Sequence, residues 1–77
     1  MTYEVWMEGY AATGERGEHE KVGEFEAPDF ESACSLAADH LSRGDASVRH
    51  RYYDPEHLTW WGCRLFDNET DAAEAFG

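Results

Sequence analysis

Apolar and polar residues alternate along four segments of the chain, and this alternation predicts four β-strands. The segments are residues 3–12, 20–27, 47–53 and 58–66. Successive side chains of a strand point to opposite faces, so a period of two residues indicates a strand. In 58–66, Trp60 falls on one face and Trp61 on the other. A strand with large apolar groups on both faces is usually interior to its sheet, so we expect 58–66 to be the central strand.

A period of 3.6 residues predicts a helix over residues 30–41, where small apolar side chains follow the i, i+3, i+4, i+7 spacing. Asp29 is a suitable N-cap for this helix, and Gly44 is a suitable C-terminal cap. A second, short helix is expected after Asn68. Its apolar side would consist of Ala72, Ala73 and Phe76.

The predicted element order is β-β-α-β-β-α, which indicates an α+β fold. We expect a two-layer domain over residues 1–77, with an antiparallel sheet of about four strands and the main helix on one face. Residues 13–18 would form a hairpin tip, and residues 54–57 a turn. With Trp61 buried against the main helix, Trp61→Ala would cost about 3–5 kcal/mol of stability.

The chain is strongly acidic, with a formal net charge of −11 at pH 7. Direct nucleic-acid binding requires Lys and Arg to neutralise phosphates, so this balance argues against it. It is compatible with a basic protein partner, although composition alone favours the simpler interpretation that the charge keeps a small protein dissolved. No stretch resembles a membrane span or a signal peptide, so we expect a cytoplasmic protein with reduced Cys34 and Cys63.

If the first two strands pair antiparallel, one face of the sheet becomes rich in carboxylates and aromatic rings. Trp, Tyr and Arg are the residue types that dominate interface hot spots, so this face is a candidate partner-binding surface. Alternatively, the C-terminal helix covers the rings, with Phe76 packed on Trp60. Arg49, Arg51 and Arg64 could pair with the acids, and Tyr53 could join the rings. The predicted partner-binding residues are Glu4, Trp6, Glu8, Tyr10, Glu24, Glu26 and Trp60.

Three arrangements could support chemistry, and each has a simpler interpretation. Asp54, Glu56 and His57 crowd one turn and could hold a metal ion loosely, but a solvated turn is the better explanation. Cys63 could form a thiolate pair with His50 or His57 across neighbouring strands, but a buried, inert thiol fits its apolar segment better. Paired carboxylates would lie on an open face rather than in a cleft. We therefore predict no catalytic residue, no metal and no cofactor.

Two stretches resemble segments of other proteins. Glu8-Gly9-Tyr10-Ala11-Ala12-Thr13-Gly14-Glu15 and Trp61-Gly62-Cys63-Arg64-Leu65-Phe66-Asp67-Asn68-Glu69 together resemble a group of short, uncharacterised bacterial and phage proteins. That resemblance implies no catalytic residue. The stretch Ala27-Pro28-Asp29-Phe30-Glu31-Ser32-Ala33 is similar to the strand-to-helix transition of HicB-type antitoxins. Size and acidity also resemble anti-CRISPR proteins as a class, which implies an inhibitor that occupies a nucleic-acid-binding surface.

The sequence therefore predicts a non-enzymatic interaction protein that binds a basic surface of a host protein and neither nucleic acid nor membrane directly. The alternatives are a small metal or thiol enzyme that uses Cys63, His50 and His57, or a HicB-like antitoxin module.

Overall fold

A computed structural model describes the backbone of residues 1–12 and 15–76 and the side chains of residues 1–9 and 18–75. The fold is α+β with an antiparallel sheet, as predicted, but the sheet has five strands rather than about four. The elements are β1 (Thr2–Met7), β2 (Tyr10–Ala12), β3 (Glu15–Gly17), β4 (Glu20–Glu26), α1 (Phe30–Ser42), α2 (Ala46–Tyr52), β5 (Tyr53–Asp54), β6 (Thr59–Trp60), β7 (Cys63–Phe66) and α3 (Glu69–Phe76).

The first strand, β1, lies between β4 and β7 in a sheet of order β4-β1-β7-β6-β5. Tyr3 pairs with Phe25 of β4, and Trp6 pairs with Phe66 of β7. The predicted strand 3–12 is interrupted after Met7, and β2 pairs with β3 in a separate two-stranded hairpin. The expected hairpin tip falls partly on Thr13 and Gly14, which lie outside the described residues.

Residues 58–66 form a hairpin rather than the central strand, so that prediction is wrong. Thr59 pairs with Arg64 and Trp60 with Cys63, which leaves Trp61 and Gly62 as a two-residue turn. Both have positive φ, 52° and 81°, as a type I′ turn requires. The turn directs Trp61 away from the core, and 66% of its surface is exposed.

Residues 46–52 form the helix α2, so the predicted strand over 47–53 is also wrong. The Asp45 carboxylate accepts hydrogen bonds from the backbone N–H groups of Ser47 and Val48, at 3.0 and 3.3 Å. These bonds satisfy two amides of the first turn that have no partner within the helix. The strand resumes only at β5, where Tyr53 is buried.

The core lies between α1 and the inner face of the sheet. Ala33, Cys34, Ala37 and Ala38 of α1 have no exposed surface, and they pack with strand residues that include Val5, Leu65 and Tyr53. Small side chains allow the helix to approach the sheet closely, as the sequence predicted. Phe25 packs against this core as expected, and so do Trp60 and Leu58, whereas Trp61 does not.

The ends of α1 and α3 are mostly as predicted. Asp29 caps α1 by accepting from the backbone N–H of Ser32, and Asn68 caps α3 by accepting from that of Asp71, both at 2.8 Å. The C-cap of α1 is Arg43, with φ of 55°. The predicted cap, Gly44, is the next residue and also has positive φ.

Helix α3 contacts β7, β1 and β4. Ala72 is fully buried, but Ala73 of the predicted apolar side is exposed. The side chain of Phe76 lies outside the described residues, so the expected contact with Trp60 does too. Within residues 1–12 and 15–76, the helices are all too short or too polar to traverse a lipid bilayer.

Candidate interaction surface

Three of the predicted acids share the outer face of β1 and β4. Glu4 is paired with Glu24, and Glu26 is paired with Thr2, so the strand register places these carboxylates on one side of the sheet. The side chains of Glu24 and Glu26 are 59% and 75% exposed. We name this surface the acidic face and define it as Glu4, Trp6, Lys21, Glu24 and Glu26.

Trp6 is fixed in the middle of the acidic face. Its indole Nε1 donates a hydrogen bond to Glu4 Oε1 at 3.1 Å, and its ring lies 6.0 Å from the ring of His19. His19 Nε2 is in turn 3.3 Å from Glu69 Oε1, so the first turn of α3 reaches this side of the sheet. The half-buried indole therefore presents an aromatic surface among the carboxylates.

Lys21 lies between two of these acids, a position the sequence did not predict. Its Nζ is 3.4 Å from Glu4 Oε1 and 3.6 Å from Glu24 Oε2. The register between β1 and β4 shifts between Val5 and Trp6, so one extra residue of β4 places Lys21 opposite Trp6. A strict period of two cannot anticipate such a bulge.

Two carboxylates of the acidic face, those of Glu4 and Glu26, favour their ionised forms. The hydrogen bond from Trp6 and the nearby Lys21 ammonium hold the pKa of Glu4 below its usual value. The Thr2 hydroxyl, which donates to Glu26 at 2.6 Å, and the N-terminal ammonium lower the pKa of Glu26 in the same way. Glu4 and Glu26 therefore keep their negative charge to lower pH than unperturbed glutamates do.

Glu8 is not part of the acidic face, contrary to prediction. One of its carboxylate oxygens accepts from the backbone N–H of Arg64 at 2.9 Å, and the other from Arg64 Nε at 3.2 Å. Only 14% of the Glu8 side chain is exposed. Glu8 therefore joins β1 to β7 and has little surface left for a partner.

Trp60 and Tyr53, two of the other predicted rings, are not on the acidic face. Trp60 pairs with Tyr53 and Cys63, both of which are buried, and it packs against the core. The expectation that Trp60 and Tyr53 share a face with the acids is therefore wrong, because the turn at Trp61 reverses the alternation on which it depended. The side chain of Tyr10 lies outside the described residues.

The arginines are distributed differently from the prediction. Arg49 Nε lies 2.6 Å from Asp39 Oδ1, and its guanidinium stacks on the Tyr53 ring at 5.1 Å. Arg51 lies over the ring of Tyr52. Both are on α2, so neither pairs across strands with the acidic face.

A cluster of aromatic rings at the β6–β7 turn was missed by the sequence reasoning. The ring of Tyr52 lies 5.9 Å from that of Trp60 and 6.2 Å from that of Trp61, and the Trp61 N–H donates to the Tyr52 carbonyl at 2.8 Å. The signal that could have found it is the Trp-Gly dipeptide, because glycine as the second residue of a two-residue turn favours a hairpin.

The crowded turn after β5 contains the three side chains that were considered for a metal. Ligand atoms of Asp54, Glu56 and His57 lie within 4.8 Å of one another. Asp54 Oδ2 is 2.7 Å from His57 Nδ1, and this hydrogen bond is the main cause of the lowered pKa of Asp54. The other oxygen of Asp54 accepts from the backbone N–H groups of Glu56 and His57, so the carboxylate already stabilises the turn.

An open cleft of about 280 Å³ lies between α1, α2 and the turn. Its polar groups include Arg49, Ser32 and Ser35. Arg49 is already bonded to Asp39 and to the Ser35 hydroxyl, so most of its guanidinium is committed within the fold.

Both cysteines are free and buried. Burial raises the pKa of the Cys34 thiol to about 12, and burial together with Glu8 and Glu20 raises that of Cys63. A catalytic thiol needs the opposite shift. His50 lies on α2 rather than on a strand beside Cys63, so the alternative in which the two pair across neighbouring strands loses its basis.

Comparisons with protein-family models, with curated proteins and with solved structures found no match.

Proposed function

We propose that this chain is a non-enzymatic interaction protein whose acidic face binds a basic surface of another protein. The observation that carries the proposal is the β1–β4 register, which places Glu4, Glu24 and Glu26 on one exposed side around the fixed indole of Trp6. Convergent charge of one sign speeds the encounter with an oppositely charged surface.

The two kinds of residue on this surface contribute differently to binding. The exposed carboxylates would act mainly on the association rate, because rim charges are screened by salt. Trp6 would act on the dissociation rate, since Trp is the residue type most enriched among interface hot spots. Lys21 offsets part of the negative charge, so the surface suits a partner with discrete Lys or Arg side chains that can displace it from Glu4 and Glu24.

The proposal also holds that the chain is not an enzyme. The raised thiol pKa values support it, as does the use of Asp54 within its own turn. The class of partner implied by the anti-CRISPR resemblance, a host surface that normally holds nucleic acid, stays a prediction.

The test compares three baits in parallel affinity captures from source cells. The baits are the native chain, Glu24→Lys with Glu26→Lys, and a control in which Glu56→Lys with Glu74→Lys changes the net charge equally. Glu56 and Glu74 are exposed and make no side-chain hydrogen bond or ion pair within the described residues. We expect a partner on the native and control baits that is lost from the first variant.

Glu8 is unsuitable for this test because its reversal would break the bonds to Arg64 and disturb the sheet. Once a partner is captured, its association rate should fall as salt rises from 50 to 300 mM, since the Debye length shortens below about 10 Å. Equal loss on both double variants would mean that the partner senses only net charge, and the acidic face would not be the site.

A further inference from the structure

Within residues 1–12 and 15–76, β4 forms an open edge of the five-stranded sheet, with β1 as its neighbour in the sheet order. Met1 and Ala27 exchange two hydrogen bonds, at 3.1 Å from the N-terminal ammonium to the Ala27 carbonyl and 2.9 Å in the reverse direction. Hydrogen-bonded and non-hydrogen-bonded pairs alternate along an antiparallel ladder. Tyr3–Phe25 and Val5–Gly23 are therefore hydrogen-bonded pairs, in which Phe25 and Gly23 direct their backbone groups towards β1.

The same alternation determines which groups point outwards. Glu24 and Glu26 form the non-hydrogen-bonded pairs with β1, so their backbone N–H and C=O groups are directed away from it. Within the described part of the chain, these groups make no backbone hydrogen bond outside the β1–β4 ladder. Seven residues of β4 provide about 23 Å of edge, enough for an added strand.

A second copy of this chain is a poor occupant of the edge. Antiparallel pairing of β4 with itself would bring acids together, because Glu20, Glu24 and Glu26 outnumber the single basic residue Lys21. Like charges on paired strands are destabilising, and such charges are a common protection of natural edge strands. The same charges would favour an extended segment rich in Lys or Arg.

We propose that an extended basic segment of a protein partner adds to β4 as a sixth strand, antiparallel to β4 and bonded to the outward backbone groups of Glu24 and Glu26. This inference rests on the proposed function and specifies how the acidic face is used. Residues opposite Glu24 and Glu26 share their side of the sheet, so Lys or Arg belongs there. The intervening residues lie on the side of Phe25, where the core edge favours β-branched apolar groups.

The pattern gives a defined probe, the acetylated and amidated peptide Lys-Val-Lys-Val-Lys-Val-Lys. Two derivatives separate backbone pairing from charge. In one, the backbone nitrogens of the lysines are methylated, which removes the N–H groups directed at β4. In the other derivative, the backbone nitrogens of the valines are methylated, which removes N–H groups directed away from β4. Both derivatives have the same total charge.

We expect the parent peptide and the valine-methylated peptide to bind with similar affinity in an NMR titration. The lysine-methylated peptide should bind at least about tenfold more weakly, since the pairing of two or more backbone donors is lost. Binding of the parent should also slow amide hydrogen exchange at Glu24 and Glu26, which face solvent in the free protein.

Equal binding by all three peptides would mean that charge alone attracts them, and it would overturn strand addition while leaving the acidic face as the site. Equal weakening by both methylated peptides, or no binding of the parent, would also overturn strand addition. The acidic-face proposal is decided separately by the bait comparison, so the two can fail independently.

Discussion

Leu65 and Trp61 lie four residues apart, yet the two side chains contribute very differently to stability. Leu65 is 5% exposed and packs in the core, whereas Trp61 is 66% exposed at the turn. We expect Leu65→Ala to cost about 2–5 kcal/mol of unfolding free energy, because a buried side chain leaves a cavity. Trp61→Ala should change it by about 0.5 kcal/mol or less, as is usual for surface positions.

Urea denaturation of the two alanine variants measures both values under one set of conditions. A large loss for Trp61→Ala, as the sequence pattern predicted, would mean that the indole is packed in solution and that the exposed turn is wrong.

Cys34 should make the protein less stable at alkaline pH. Its pKa is raised from the ordinary value of 9.0 to about 12, because burial disfavours the thiolate. The folded state therefore holds the proton more tightly than the unfolded chain. This stabilisation is complete below pH 9 and is lost as the pH rises towards 12. At pH 10 the loss amounts to about 1 kcal/mol.

The measurement is the urea midpoint at pH 8 and pH 10 in the presence of a reductant. In Cys34→Ala the urea midpoint should fall less between pH 8 and pH 10 than it does in the native protein. The fall that remains would be due to Cys63 and Tyr53, whose pKa values burial also raises. An identical fall in both proteins would show that Cys34 ionises equally in the folded and unfolded states.

Side-chain environments were predicted well where one face of an element is uniform. The small residues of α1, and Phe25 against them, were placed correctly because the neighbours in sequence all indicate the same buried stripe. Trp60, Trp61 and Glu8 were misplaced because their surroundings depend on a turn and on a contact with Arg64, which lies 56 positions from Glu8.

Helix α2 depends on its N-terminal cap more than the longer α1 does. It spans seven residues, has no fully buried residue, and includes the weak helix formers Val48, His50 and Tyr52. We expect Asp45→Ala to reduce the helicity of residues 46–52, because the amides of Ser47 and Val48 lose their acceptor.

Asp45→Asn is the matched control, since Asn caps about as well as Asp without the charge. Backbone chemical shifts of the two variants report helicity directly. If Asp45→Ala keeps native shifts over 46–52, then the contacts of α2 with α1, and not the cap, maintain the helix.

The elements with a clear cap or period were the ones predicted from sequence. Helices α1 and α3 have Asp29 and Asn68 as N-caps together with a helical period, and β4 alternates regularly from Gly23 to Glu26, beyond its bulge. Segment 47–53 alternates like a strand, but the N-cap formed by Asp45, which accepts from the backbone N–H groups of Ser47 and Val48, overrides that weak preference. The predicted order β-β-α-β-β-α therefore missed α2 and divided the strands differently.

The net charge of −11 acts on the whole molecule, since 17 acids are opposed by six Lys and Arg residues. Folding brings these charges closer together, and their mutual repulsion opposes the compact state. We expect the melting temperature at pH 7 to rise by about 5 °C between 20 and 500 mM NaCl, which corresponds to roughly 1 kcal/mol for a domain of this size.

The five ion pairs that the N-terminus, Lys21, Arg49 and Arg64 form within the described residues would produce the opposite trend, because salt also screens attraction. Most of them are exposed, and such pairs contribute about 0–1 kcal/mol. A falling melting temperature would therefore show that the pairs around Lys21 and Arg64 outweigh the repulsion.

The central position of β1 has a consequence for the rate of folding. Its pairing with β4 joins Tyr3 to Phe25, 22 positions away, whereas its pairing with β7 joins Trp6 to Phe66, 60 positions away. The longer loop has the larger closure entropy, so we expect the β1–β7 contacts to form after the β1–β4 contacts and after the transition state of folding. Substitutions at the β1–β4 junction should therefore alter mainly the folding rate, and those at the β1–β7 junction mainly the unfolding rate.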